Sequence, residues 1–266
     1  MSYIYSLNGS QMRTFYTKVS VVVIGWLLAV GTVCAQSVDT DDDNYQSVTS
    51  FGVTTNTNAG IIGGFVFRHS KLLPGTLFGK KQFRYISVEA VNVKHPKEIQ
   101  TQTGTFAGGR FTFGKENYLF VVRPQYGREL TLFKRTADEG IAINAIVAGG
   151  PSIGIIKPYY VQIQEGNQTR SVPYSSVSGS GTGVPTAVPI GAGGFFQGFG
   201  QSRFTVGLNV KTAVSFELSA FRDNTTGLEI GFLTEVFPQK IIIIPDADNR
   251  SFFTSGYITL FFGSKK

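Results

Sequence analysis

The sequence predicts an all-β fold: a transmembrane, antiparallel, up-and-down β-barrel of eight strands. Three observations carry this expectation. Apolar and polar residues alternate with a period of two over unusually long segments. No comparable helical stripe appears after residue 35. The connections are short on one side of the strands and mostly long on the other. A half-buried soluble strand needs only about 4–8 alternating residues, whereas one that crosses a bilayer tilted and projects beyond it needs more.

The chain opens on a leader. Arg13 and Lys18 precede an apolar stretch over 19–30, and Val33 and Ala35 sit three and one residues before a cut. Gln36 and an acidic run, Asp39-Thr40-Asp41-Asp42-Asp43, follow. This is the pattern of a secretory signal peptide over 1–35, cleaved between Ala35 and Gln36. Its apolar core is shorter than the ~20 residues of a membrane helix. Met12 offers an alternative start, and Cys34 an alternative lipidation site, although Val33 stands where a lipobox has a small Gly or Ala. Cleavage leaves 231 of the 266 residues. It removes Arg13 and Lys18 and no acid, lowering the formal charge from +7 to +5. Residues 36–47 then read as a periplasmic segment and 48–266 as the barrel.

Eight segments follow in order: 48–55, 61–70, 82–94, 117–134, 140–163, 204–220, 227–237 and 252–263. The clearest is 204–220, where Phe204, Val206, Leu208, Val210 and Val214 alternate with Asn209, Lys211, Ser215 and Glu217. One such face suits lipid and the other a polar lumen. Asn56-Thr57-Asn58-Ala59-Gly60 and the polar stretches 136–140 and 222–227 are hairpin turns. With both termini in the periplasm, the two last-named turns fall inside and the long connections 95–115, 164–202 and 238–251 fall outside. The connection over 70–81 is long for a periplasmic turn. Ten strands result if 140–163 is split at Gly149-Gly150-Pro151.

The last strand, Tyr257-Ile258-Thr259-Leu260-Phe261-Phe262-Gly263, closes on aromatics just before the end of the chain. It resembles the terminal strand that the barrel-insertion machinery reads in Gram-negative outer-membrane barrels. The tail Gly263-Ser264-Lys265-Lys266 departs from the commonest ending, in which the aromatic is last. With Asn92-Val93-Lys94-His95-Pro96-Lys97-Glu98 and Tyr126-Gly127-Arg128-Glu129, the region 48–266 resembles the small outer-membrane β-barrels of Bacteroidota. The resemblance implies a place in the outer membrane, among its lipids, more firmly than an activity.

Composition narrows the chemistry. Charged residues are 15% of the chain, against roughly 25% in an average soluble domain. The chain has one Cys, one Trp and two Met, and Met1, Met12, Trp26 and Cys34 all lie in the leader. The mature chain therefore has no Cys nucleophile, disulfide or thiolate metal site. His69 and His95 alone do not make a multi-His metal site. The dispersed basic residues form no nucleic-acid stripe, and the glycine-rich stretches lack a nucleotide-binding arrangement. No catalytic, cofactor or metal residue is assigned. An interfacial aromatic girdle must come from residues such as Tyr118, Tyr126, Phe204 and Phe262.

Inward parity collects a set of lumen charges: Arg68, Glu89, Arg123, Glu129, Lys211, Glu217, Glu229 and Glu235. Side chains fill the interior of an eight-stranded barrel, and opposite charges there pair because an unpaired buried charge is costly. The expected role is structural or interactive, with an envelope protein met through the outer loops. A narrow channel for ions or small solutes is the alternative, and a lipid-modifying enzyme the second alternative. For the enzyme, His69 with Ser70 and His95 with Glu98 are the candidates. His69 lies on the periplasmic side, and His95 has no distinctive serine beside it in sequence. Phe195, Phe196 and Phe199, and the run Ile241-Ile242-Ile243-Ile244, read as exposed patches for a partner or membrane, or as loops packed into a lid.

Overall fold

The computed structural model describes residues 45–102, 109–134, 141–178, 187–218 and 224–266. The expected signal peptide with its Ala35–Gln36 cut lies outside the described residues, as do most of the expected periplasmic segment, the whole turn at 136–140 and residues 222–223 of the turn at 222–227, whose remaining residues belong to a strand.

Eight strands close into one barrel: β1 (Ser47–Asn56), β2 (Gly60–Leu77), β3 (Lys80–Val93), β6 (Asn117–Phe133), β7 (Ala142–Pro158), β11 (Arg203–Glu217), β12 (Asn224–Val236) and β13 (Phe252–Lys265). The ring order is β1-β13-β12-β11-β7-β6-β3-β2, with every neighbour antiparallel. Closure is made by β1 on β13, from Val48 opposite Lys265 to Asn56 opposite Tyr257. Five shorter strands stand outside the ring. They are β4 (Gln100–Gln102) and β5 (Arg110–Thr112), which pair with each other, and β8 (Tyr160–Glu165), β9 (Gln168–Pro173) and β10 (Pro189–Ala192), which form a three-stranded sheet. Among the described residues no helix is long and apolar enough to cross a membrane.

The burial pattern is inverted relative to a protein built for water. On β11, Phe204 is 72% exposed and Leu208 65%, while Lys211 is 1% exposed. The same outward column recurs as Phe51 and Val53, Phe65 and Phe67, Ile230 and Phe232, and Ile258, Leu260 and Phe262. Soluble monomers rarely expose a contiguous apolar patch beyond a few hundred Å². A belt running round a ring whose inner face carries the charges is stable in hydrocarbon, where a closed sheet leaves no strand edge unpaired. Tyr126, Phe204 and Phe262 lie on this outer face. Tyr118 does too, but loop aromatics cover it.

Two strand boundaries differ from the expectation. The connection at 70–81 is not a loop: β2 runs on to Leu77, and Phe78 and Gly79 make a two-residue turn with φ of 52° and 72°. Positive φ at both central positions suits the right-handed twist of a hairpin. Within β2, Pro74-Gly75 forms a bulge, with Gly75 at φ 82° and a register shift between Leu72 and Thr76. The segment 140–163 does divide, but at Pro158 and Tyr159 rather than at Gly149-Gly150-Pro151. Its second part, β8, leaves the barrel for the three-stranded sheet, so the ring keeps eight strands.

The first and last strands begin and end at one rim, where Gln46 and Ser47 donate backbone hydrogen bonds to the Lys266 carbonyl. The long connections 94–116, 159–202 and 237–251 all lie at the other. Their sheets pack on Phe111, Tyr159, Val161, Tyr174 and Val177, and Gly109 of the β4–β5 arm bonds to Ile190 of β10.

Candidate functional site: the lumen and its cap

The inward face of each strand follows from its parity, and closure brings those faces together. All eight of the inward charges named above are buried. Seven of them, with Lys265, form one chain of contacts. Lys265 meets Glu217 at 3.1 Å, and Glu217 meets Arg68 at 3.8 Å. Arg68 meets Glu229 at 3.0 Å, Glu229 meets Lys211 at 2.9 Å, and Lys211 meets Glu89 at 2.7 Å. Glu89 then meets Arg123 at 3.8 Å, and Arg123 holds Glu235 with two bonds of 2.8 Å. Cation and carboxylate alternate throughout, so each interior cation touches two acids. The eighth, Glu129, stands beside the chain and accepts a 2.5 Å bond from the Ser70 hydroxyl.

Neutral groups fill the remaining positions. The Tyr257 hydroxyl donates to Glu229 at 2.6 Å, and Asn144 donates to Glu217 at 3.1 Å. Ser50 accepts from Arg68 Nε at 2.8 Å while the Phe261 ring lies 3.7 Å below the guanidinium. Ser152 donates to Glu235. Gln125 links Ser87 to Asn209 at 2.9 and 2.7 Å. Tyr85, Ile146, Ala148, Ala213, Leu233 and Tyr257 form an apolar cluster between the charges. Lys265, Tyr85 and Tyr257 were missed in the sequence reading, although Tyr257 shares inward parity with Thr259 on β13. The Tyr85 hydroxyl, Asn144 Oδ1 and Ser215 Oγ are buried with no hydrogen-bond partner among the described residues.

Above the charges the barrel mouth is closed by an apolar plug. Ile241, Ile243 and Ile244 pack with Val91, Val93, Leu119, Val121 and Phe237. Of the two readings of the isoleucine run, the packed loop is the one found here and the exposed patch is not: only Ile242, at 47%, faces out. Asn249 makes the fold-back specific, since its carbonyl accepts from the Ile243 N–H at 2.9 Å and its amide donates to the Ile244 carbonyl at 2.7 Å. Beside the plug, Lys115 is buried and reaches Glu98 at 2.7 Å. Burial lowers the Lys115 ammonium below the ordinary lysine range, and Glu98 works against that shift. Phe195 and Phe199 pack on Phe120, leaving Phe196 82% exposed, and the buried Lys157 lies under the rings of Tyr118, Phe195 and Phe199.

The catalytic candidates do not assemble. Ser70 points into the lumen toward Glu129, whereas His69, its neighbour on the alternating strand, bonds Thr49 Oγ1 at 2.8 Å through Nδ1. At His95, Nδ1 accepts from the Lys97 N–H at 3.1 Å and Nε2 lies 3.4 Å from the Asp248 carbonyl. Glu98 accepts from the His95 backbone N–H at 2.9 Å, which orders the turn without orienting the imidazole. Among the described residues no group of three or more His, Cys, Asp or Glu could hold a metal ion.

No protein-family model matches the chain, and no curated protein sequence is similar to it. Among solved structures it is similar to the attachment invasion locus protein Ail of Yersinia pestis in complex with the heparin analogue sucrose octasulfate. The identity is 8% and the TM-score 0.39, over 84% of this chain and 99% of that one. A second structure of Ail gives 6% and 0.35 over the same shares. Neisserial surface protein A gives 9% and 0.34, over 84% and 97%.

Proposed function

We propose that this chain is a bacterial outer-membrane protein whose barrel is a sealed scaffold and whose long-loop layer is its working surface. It is exported by a signal peptide cut between Ala35 and Gln36. The barrel-insertion machinery reads the aromatic end of β13, and the tail after Phe262 points to a Bacteroidota origin. One observation carries the reading: the alternating charge chain and the isoleucine plug together fill the interior from the terminal end to the mouth. A lumen so occupied has no role as a general pore, and the charge network fixes the register of the strands around it. The elaborated part of the molecule is then the loop layer, with its own apolar core and an envelope or extracellular partner as its target.

Planar-bilayer recording tests this directly. The reconstituted protein is expected to give no steady single-channel steps. Removing the plug with Ile241→Ser and Ile243→Ser is expected to leave it non-conducting, because the charge chain lies beneath. Reproducible steps from the wild type, abolished by substitutions at Glu89 or Lys211, would establish the narrow channel instead.

A further inference from the structure

The barrel wall has a gap on its outer rim beside β11. β11 pairs with β7 along its whole length, from Arg203 opposite Ile156. On its other side the ladder to β12 starts only at Leu208 opposite Val236. The β12-side edge of residues 203–207 is therefore left open, because the chain after Val236 turns away and Phe237 bonds to Ser251. The loop then returns alongside with Gln239 and Lys240. Between this loop and the open edge lies a groove of about 340 Å³ whose polar lining includes Arg203, Gln239 and Lys240.

Two features say what this groove accepts. Its charged lining residues are both cations, with no acid among them. Arg203 and Lys240 also make no salt bridge with an acid among the described residues, unlike the paired cations Arg170 and Arg250 elsewhere on the loops. Arg203 has the parity of the inward residues and lines the groove from the mouth side of the open edge, whereas Phe204 lines it from the outer side and begins the exposed apolar column Phe204, Val206, Leu208 and Val210, flanked by Phe232 of β12. A groove with two cations in its lining at the open edge, and a hydrocarbon-facing track running down the outer face of the same strand, matches an amphiphile with an anionic head and acyl chains. Cations near a membrane surface draw anionic headgroups, and an open sheet edge adds backbone N–H donors for phosphate oxygens.

We infer that the groove between β11 and residues 238–242 is a binding site for a phosphorylated lipid of the surrounding leaflet. The phosphate sits between Arg203 and Lys240, and the acyl chains lie along Phe204, Val206 and Leu208. The inference rests on the membrane-barrel reading above and adds a specific ligand class and address to it. It also accounts for the gap in the wall, since a bound headgroup covers backbone that would otherwise face lipid unpaired.

The test uses the full-length gene product recovered from membranes, in mixed micelles holding equal amounts of phosphatidic acid and phosphatidylcholine with the same acyl chains. Native mass spectrometry then counts the lipid retained. The wild type is expected to retain phosphatidic acid in preference to phosphatidylcholine. R203Q combined with K240Q is expected to lower that retention roughly tenfold, as befits two cations acting on an anionic head, whereas R203K with K240R keeps it. Equal retention by the Gln variant would overturn the site. Displacement by inorganic phosphate alone would make it a free-anion site and equally overturn the lipid assignment. Heat-modifiable gel mobility, run on each sample, reads the barrel separately: its absence in the wild type would defeat the membrane-barrel reading itself.

Discussion

Replacing Glu229 with Leu is expected to destabilise the folded barrel by about 3–5 kcal/mol, the cost of breaking a buried ion pair by removing one partner. Glu229 bridges two buried cations at close range, touching Arg68 at 3.0 Å, Lys211 at 2.9 Å and the Tyr257 hydroxyl at 2.6 Å. Its loss leaves two buried cations with one acid each, Glu217 for Arg68 at 3.8 Å and Glu89 for Lys211 at 2.7 Å. Glu229→Gln is expected to cost less, because the amide oxygen still accepts from the same donors. The measurement is the urea midpoint for loss of the compact, heat-modifiable gel band. Unfolding is followed by far-ultraviolet circular dichroism, since no Trp lies in the barrel strands to report it. A Glu229→Leu midpoint equal to the wild type would mean that the ion pairs are not formed in the lumen. The double variant Glu229→Leu with Lys211→Leu should recover part of the loss, because it removes one of the stranded charges.

Gly127→Val carries the second large expected effect, about 3 kcal/mol or failure to insert. Gly127 faces the lumen on β6, opposite Ala148 on one side and Tyr85 on the other. A Cβ there would overlap the Val147 carbonyl oxygen and the Ala148 backbone. Overpacking usually costs about 1–3 kcal/mol. The upper end applies here because the obstacle is the backbone of a hydrogen-bonded neighbour, which cannot swing aside as a side chain does. Gly200→Ala is the matched control, since nothing lies within 4 Å of a Cβ built at that loop glycine. It should leave the urea midpoint unchanged. If Gly127→Val inserts at wild-type yield with an unchanged midpoint, the close approach of β6 to β7 is wrong.

Much of this architecture is legible in the chain because a barrel wall shows its two faces to two different solvents. Phe204, Val206 and Leu208 against Asn209, Lys211 and Glu217 state which face is which without reference to any other strand. What a single strand cannot state is its partner's register. That Arg123 clasps Glu235 with both nitrogens, or that Lys265 ends the charge chain on Glu217, depends on how β6, β12 and β13 slide past β3 and β11. The isoleucine run leaves exposed patch and packed lid both open in sequence for a related reason. Hydropathy has magnitude but no direction, and Ile241, Ile243 and Ile244 turn into the mouth only because Asn249 ties the loop back on itself. The stretch 70–81 differs in the opposite sense: it reads as a connection, yet β2 continues through it with a bulge at Pro74-Gly75. The groove at Arg203 and Lys240 was invisible because it is a property of where β12 stops relative to β11, and no residue announces that.

Every inside and outside assignment above depends on β1 closing onto β13, so the most direct measurement is a cross-link between them. No cysteine follows Cys34 in the sequence, so in a protein produced from Gln36 onward an engineered pair is unambiguous. Thr49 of β1 lies opposite Ser264 of β13 near the terminal rim, outside the charge chain. In the Thr49→Cys, Ser264→Cys protein, oxidation in the folded, membrane-embedded state should form an intramolecular disulfide. It would be seen as loss of free thiol with no dimer and a reduction-sensitive shift of the heat-denatured band, because paired residues of neighbouring antiparallel strands bring their Cα atoms to roughly 4.5–5.5 Å. Free thiols that persist under oxidation, or disulfide-linked dimers in place of the internal bond, would contradict the closed barrel.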